Sequence, residues 1–100
     1  MQYILNADHS VEPMADPVEW HERMQIDDII VGRESIGEST VTTSFTGLED
    51  GTSAGRPLVF ETYVQKGALD GRRWRWATYK EAEEGHKRVV AQLRLTTRPR

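Results

Sequence analysis

Two polar side chains of this 100-residue chain stand where they could perform acid–base chemistry, His86 and Glu61. His86 falls on the apolar stripe of a predicted C-terminal helix, where an imidazole could respond to pH or act in catalysis. Glu61 falls among the apolar residues of a predicted strand and could serve as a general base. No nucleophile or second carboxylate is placed to work with it. The simpler interpretations are a hydrogen-bonded core histidine and a cross-strand ion pair between Glu61 and Arg75.

Metal and cofactor chemistry finds no support in the pattern of residues. The three histidines, His9, His21 and His86, lack the spacing of metal ligands, and the chain contains no cysteine. The sequence therefore predicts no metal site, no cofactor and no disulfide, which suits a reducing cytoplasm. No apolar run approaches the roughly 20 residues that span a membrane, and no signal peptide is recognisable. We expect a cytoplasmic protein with no membrane contact.

The element that must position Glu61 is the segment 57–65, PLVFETYVQ, which alternates in hydrophobicity and is rich in β-branched and aromatic residues. Such a pattern with turn-forming residues on both sides predicts the middle strand of an antiparallel meander. Further strands are predicted at 28–33, 40–46 and 72–77. On this pattern Leu58, Phe60 and Val64 face one side of the sheet, and Val59, Glu61 and Tyr63 face the other.

Two helices complete the predicted fold. Asp16, Pro17 and Glu19 are typical of a helix start, and this short helix should end near Gln25. Thr78 and Glu81 match a capping box that opens a longer helix. Its apolar stripe should pack on the sheet face that carries Phe45, Phe60, Trp74 and Trp76, and the stripe consists of Tyr79, Ala82, His86, Val89, Val90 and Leu93.

The sequence thus predicts a single α+β domain over residues 1–100. A short N-terminal helix precedes a three- to four-stranded antiparallel meander, and the C-terminal helix packs on one sheet face. We expect residues 1–15 to form a loop or edge strand and residues 96–100 to fray. Gly85, beside His86 within the helix, is explained most simply by a close approach of the helix to the sheet.

The second sheet face is the candidate partner-binding surface. Alternation places Val59, Tyr63, Arg73 and Arg75 on it. Only the first helix, through Trp20 and Met24, is available to cover this face. If that helix packs elsewhere, an apolar patch remains for a protein partner or for a second copy of the chain, which would give a homodimer.

Charge is distributed unevenly along the chain. Residues 1–50 hold eleven acidic and two basic side chains, for a net charge of −9, whereas residues 51–100 hold five acidic and eleven basic ones, for +6. The two halves could neutralise each other, or they could form separate acidic and basic surfaces. The basic half leaves open an alternative function, a small nucleic-acid-binding module that uses Arg72, Arg73, Arg75, Lys87 and Arg88.

Three blocks resemble small, uncharacterised proteins of tailed phages and prophages, especially those of actinobacteria. Residues 41–50 (VTTSFTGLED) resemble VSTVFLGLDH, residues 57–65 resemble PLLFETMVF, and residues 75–86 (RWATYKEAEEGH) resemble RYxTWxEAxxGH. The first block departs from the family at Glu49-Asp50, where the family has Asp-His, and the third departs in its aromatic order. The resemblance implies no activity, and it implies only that Glu61, Gly85 and His86 lie in characteristic segments.

Together these observations favour a non-enzymatic phage or prophage accessory protein that acts by binding another protein in the host cytoplasm. One specific version is an inhibitor of a host defence system, such as an anti-CRISPR protein, whose acidic half competes for a basic nucleic-acid channel.

Overall fold

The structure, a computed structural model, describes residues 1–26 and 28–96. Strands and helices alternate irregularly along these residues, and the longest helix comes last. In chain order the elements are β1 (Tyr3–Leu5), β2 (Val11–Pro13), α1 (Pro17–Ile26), β3 (Ile30–Ile36), β4 (Ser39–Phe45), β5 (Thr52–Ser53), β6 (Arg56–Pro57), β7 (Phe60–Gln65), β8 (Arg73–Trp76) and α2 (Tyr79–Thr96).

The main sheet has four antiparallel strands in the order β3-β4-β7-β8, and α2 packs on one face of it. The predicted α+β class is therefore confirmed. The segment 57–65 supplies an inner strand, β7, and the 47–56 connection contains the small β5–β6 hairpin. Gly37, with a φ of 59°, turns the chain tightly between β3 and β4.

The N-terminal region differs from its prediction. Residues 1–15 were expected to form a loop or an edge strand, but Val11–Pro13 pairs with Tyr3–Leu5 in a separate hairpin. β1 consequently pairs with β2 and not with the edge of the main sheet. The sequence conceals β2 because Glu12 and Pro13 are exposed and give no alternation of apolar residues.

The first helix packs against this hairpin. Asp16 Oδ1 accepts hydrogen bonds from the Val18 and Glu19 N–H groups at 2.9 and 3.3 Å, which confirms the predicted cap. Trp20 Nε1 donates to the Tyr3 carbonyl oxygen at 2.9 Å. Met24 is partly buried and packs against the core cluster that contains Leu5 and Phe45. These contacts hold α1 at the hairpin end of the inner face, away from the second sheet face.

The inner face of the sheet carries two apolar clusters with a polar row between them. The register pairs Val41 with Val64 in one cluster and Phe45 with Phe60 in the other. The polar row lies between these two pairs and is formed by Thr43 and Thr62, both fully buried. The predicted stripe of α2 covers all three rows, and its buried members are Ala82, His86, Val89, Val90 and Leu93.

The capping box of α2 forms as predicted. Glu81 N–H donates to Thr78 Oγ1 at 3.1 Å, and Thr78 N–H donates back to Glu81 Oε1 at 3.2 Å. The helix continues through Thr96, so the first residue of the predicted frayed tail is helical, and residues 97–100 lie outside the described residues.

Gly85 is the point of closest approach between α2 and the sheet. A β-carbon at this position would lie within 2.6 Å of three ring atoms of Trp76. The ring is held by the bond from Trp76 Nε1 to Thr62 Oγ1 at 3.0 Å, so moving it away would break that bond. The predicted close approach is confirmed.

Gly85→Ala should therefore lower the free energy of unfolding, although alanine normally stabilises a helix relative to glycine by about 1 kcal/mol. Overpacking against Trp76 should outweigh that gain by about 1–3 kcal/mol. Urea unfolding followed by circular dichroism measures the difference. The matched control is Glu84→Ala at the exposed neighbouring position, which should change stability by less than about 0.5 kcal/mol. A more stable Gly85→Ala variant would contradict the packing argument.

Glu81 links the capping box to pH. Burial raises the pKa of Glu81, but hydrogen bonds and charge from Arg56, with further bonds from Ala77 and Thr78, outweigh burial and leave the pKa below its ordinary value of 4.5. A carboxyl whose pKa is lowered by folding stabilises the fold above its unfolded-state pKa, and this contribution is lost as the pH falls through the folded-state pKa.

Glu81→Gln keeps the capping geometry and removes the charge that faces Arg56, 3.0 Å away. The variant should be less stable than the wild type by up to about 1 kcal/mol at pH 7, as for an exposed pair. The stability difference between the variant and the wild type should decrease as the pH falls from 5 towards 3. Thermal unfolding at several pH values measures this difference. A gap that stays constant with pH would show that the charge is not the cause.

Candidate functional site

A chain of hydrogen bonds crosses the core beneath α2. Trp76 Nε1 donates to Thr62 Oγ1 at 3.0 Å, Thr62 and Thr43 share a bond of 2.6 Å, and Thr43 Oγ1 lies 2.7 Å from His86 Nδ1. The other ring nitrogen, His86 Nε2, lies 3.1 Å from Glu34 Oε1. Five residues from β3, β4, β7, β8 and α2 are thus joined in one polar chain, whose three middle members, Thr62, Thr43 and His86, are buried.

The donor at one end fixes the direction of the first of these bonds. The indole of Trp76 can only donate, so Thr62 Oγ1 accepts from it. The bonds from Thr43 to Thr62 and to His86 can each form with either atom as the donor. Every buried polar side-chain atom of this chain has a partner. The predicted hydrogen-bonded core histidine is present in the structure, with Thr43 and Glu34 as its partners.

The order hydroxyl, imidazole, carboxylate is also that of a catalytic triad, but the geometry does not suit catalysis. A nucleophile must be reached by substrate, and Thr43, which would fill that role, is fully buried. Glu34 lies at the open end of the chain, where its second oxygen accepts a bond from Arg94 at 3.4 Å. The arrangement holds α2 on the sheet, and His86 and Glu34 line a surface groove of about 280 Å³ between β3 and α2.

The second sheet face, here called the outer face, consists of Thr42, Ser44, Glu61, Tyr63, Arg73 and Arg75. Glu61 pairs with Arg75 across the strands, as predicted, and their side chains are 3.6 Å apart. Glu61 also pairs with Arg73 at 3.1 Å. The Arg73 guanidinium lies 3.9 Å from the centre of the Tyr63 ring, and Asp50 forms a second ion pair with Arg75. Glu61 is thus an ion-pair partner for two arginines.

Two expectations about this face are wrong. Val59 was expected on it but is fully buried, because it precedes β7 and packs with Leu5, Phe45 and Phe60 in the core. An apolar patch was also expected if α1 packs elsewhere. α1 does pack elsewhere, but the exposed side chains are mainly hydroxyl and charged groups.

The basic residues proposed for nucleic acid do not share one surface. Arg73 and Arg75 lie on the outer face and pair with carboxylates. On the helix side, Lys87 lines a groove towards β3, and Arg88 lines another towards β8. Among the described residues, the Arg75–Asp50 and Arg94–Glu34 pairs join a basic side chain of the second half to an acidic one of the first half.

Sequence reasoning also missed a groove of about 560 Å³ between the N-terminal hairpin, α1 and the start of α2. His9 lies on its rim, and its ring stacks on Tyr79 at a centroid distance of 3.6 Å. Arg23 lines it and donates to the Leu5 carbonyl oxygen at 3.3 Å. Both side chains therefore serve contacts within the fold. A sequence signal for the stacking does not exist, because His9 and Tyr79 are far apart in the chain.

Comparison with known proteins found no matching family model and no significantly similar curated protein or solved structure. Within residues 1–26 and 28–96, no group of three or more potential ligands could hold a metal ion. No helix in this part of the chain is both long and apolar enough to cross a membrane.

Thr43→Val tests the polar chain, because it removes the hydroxyl that bonds both Thr62 Oγ1 and His86 Nδ1. We expect a loss of about 1–3 kcal/mol in the free energy of unfolding. The double variant Thr62→Val/Thr43→Val should lose less free energy of unfolding than the two single variants' losses added together. The reason is that each single variant already removes the bond that the two threonines share. Urea unfolding of all four proteins measures the coupling. Additive losses would show that the two hydroxyls act independently.

Proposed function

We propose that the protein acts by binding another protein through its outer face. The observation that carries this proposal is the ordered cluster of Tyr63, Arg73, Arg75 and Glu61 on a sheet face away from both helices. Tyrosine and arginine are the side chains that most often dominate binding energy at protein interfaces. Because each arginine is already held by a ring or a carboxylate, less conformational entropy is lost when a partner docks.

The acid–base groups support binding over catalysis. His86 is 5% exposed and bonded on both nitrogens, and Glu61 is paired with two arginines. Each group therefore has a structural task that explains its position. A general base would need an acceptor oxygen or nitrogen free to take a substrate proton.

The resemblance to phage proteins motivates the wider biological proposal, an accessory protein in the cytoplasm of an infected host. In the version where it inhibits a defence system, the acidic first half would contact a basic nucleoprotein effector. Exposed carboxylates support this version, and they include Glu12, Asp16, Glu19 and Glu22 around the start of α1. Such contacts should weaken as salt rises.

The test compares the proteins retained from nuclease-treated host lysate by the wild type, by Tyr63→Ala/Arg73→Glu and by Lys87→Glu. The last variant is the matched control, because it reverses one exposed charge on the helix side of the molecule. We expect one partner to be retained by the wild type and the control and reduced about tenfold or more by the double variant. All three must first show the same circular dichroism and melting temperature.

Equal retention by the double variant would contradict an outer-face interface. If a parallel experiment with untreated lysate instead retains nucleic acid, and its affinity falls as salt rises, the alternative function would replace this proposal.

A further inference from the structure

β8 forms one edge of the main sheet, and half of its main-chain groups have no strand beside them. Val59 N–H donates to the Trp76 carbonyl oxygen, and Val64 N–H donates to that of Arg72. Because these groups alternate along an antiparallel strand, the N–H and C=O of Arg73 and Arg75 point away from β7. No strand within residues 1–26 and 28–96 pairs with this side of β8.

A groove of about 260 Å³ runs along the inner side of this edge, between the indoles of Trp74 and Trp76 and the helix. Its other wall belongs to α2 and is formed by Gly85, Arg88, Val89 and Gln92. Both indoles are partly exposed, although they also pack against the two core clusters. The edge therefore combines free main-chain groups with a recess that is lined by the two indoles and Val89 and also by the polar side chains of Arg88 and Gln92.

Positive charge surrounds the same edge. The Arg72 guanidinium lies 5.4 Å from the centre of the Trp74 ring, and that of Arg88 lies 5.8 Å from the Trp76 ring. Neither has a carboxylate partner within the described chain, whereas Arg73 and Arg75 on the outer side do. A ligand for this edge should therefore carry carboxylates.

We propose that β8 accepts an extended segment of a partner protein as a fifth strand, and that this segment alternates acidic and apolar side chains. The inference rests on the proposed protein-binding function and specifies its mode. Residues of the segment opposite Arg73 and Arg75 project to the outer side, where their carboxylates share these two arginines with Glu61 and Asp50. The intervening residues project into the groove beside Trp74 and Trp76, and a terminal carboxylate reaches Arg72 or Arg88.

The edge favours a peptide over single-stranded nucleic acid. A peptide strand offers donors and acceptors in the alternation that Arg73 and Arg75 require, whereas a phosphate backbone offers acceptors alone. Bases bind by stacking on open aromatic faces. The Trp76 ring already lies against Gly85, and both indoles have a guanidinium over them.

The probe is a synthetic nine-residue peptide that alternates glutamate and valine, titrated into ¹⁵N-labelled full-length protein. We expect shifted amide signals at residues 72–77 and 85–92 and none around α1. The control peptide has lysine in place of glutamate and should not bind. No shift at millimolar glutamate peptide, or equal binding of the lysine peptide, would overturn the proposal.

Two protein variants separate the main chain from the side chain. Arg75→Ala removes the guanidinium and keeps the N–H, whereas Arg75→Pro removes both. Proline is tolerated on an edge strand where the N–H faces solvent, so both variants should fold, and circular dichroism verifies this. We expect Arg75→Pro to bind about tenfold more weakly than Arg75→Ala. Equal affinities would show that the edge is not used.

Two versions of the peptide, N-methylated on alternate sets of amides, repeat this test without altering the protein. Methylation of one set should abolish binding and methylation of the other should preserve it, because only one set of amides faces β8. Equal effects would overturn the inference.

If the partner captured from lysate depends on Tyr63 and Arg73 but binds both Arg75 variants equally, the outer-face function stands and the added strand fails. Displacement of the peptide from β8 by oligothymidylate would favour nucleic acid instead.

Discussion

The hydrogen-bonded chain from Trp76 through Thr62, Thr43 and His86 to Glu34 is the constraint on which the rest of the fold depends. A buried hydroxyl or imidazole without a partner costs about 1–3 kcal/mol, so each link requires the next one to be in place. A one-residue slip of β4 against β7 would send the threonine of the slipped strand to the outer face and break the chain. The polar row therefore fixes the register of the sheet, which two apolar clusters alone would specify less strictly.

The same chain explains why two glycines lie where they do. His86 must reach Thr43 and Glu34 at once, so its ring lies directly on β3, where a β-carbon at Gly32 would approach Nε2 to 2.9 Å. One residue earlier in α2, Gly85 makes room for Trp76, the donor that begins the chain. The helix thus approaches the sheet closely at two places, where Gly85 lies against Trp76 and where the His86 ring lies against Gly32. Once the inner face is specified in this way, the outer face is free to carry charged and aromatic side chains.

The sequence predicted what depends on local pattern. Alternation assigned β4 and β7, the capping pairs located both helix starts, and the helical stripe identified His86 as a core residue. The partners of His86 were not predictable, because Thr43 and Glu34 lie 43 and 52 residues away and a threonine in a strand gives no sign of what it contacts. Val59 was misassigned for a related reason. Alternation describes a residue within a strand, and Val59 precedes β7, where the N-terminal hairpin adds a further layer of core.

The arginines on β8 also admit a simpler interpretation, since charged side chains on an edge strand protect a sheet from uncontrolled pairing. Protection and recognition make different demands on the surroundings. Protection needs only charge, and the opposite edge, β3, has Arg33 and a bulge between Ile30 and Gly32. β8 has, in addition, two partly exposed tryptophans, a groove beneath α2 and two guanidinium groups placed over the indoles. Tryptophan at a solvent-exposed edge contributes little to protection and much to binding, which favours recognition at β8 and protection at β3.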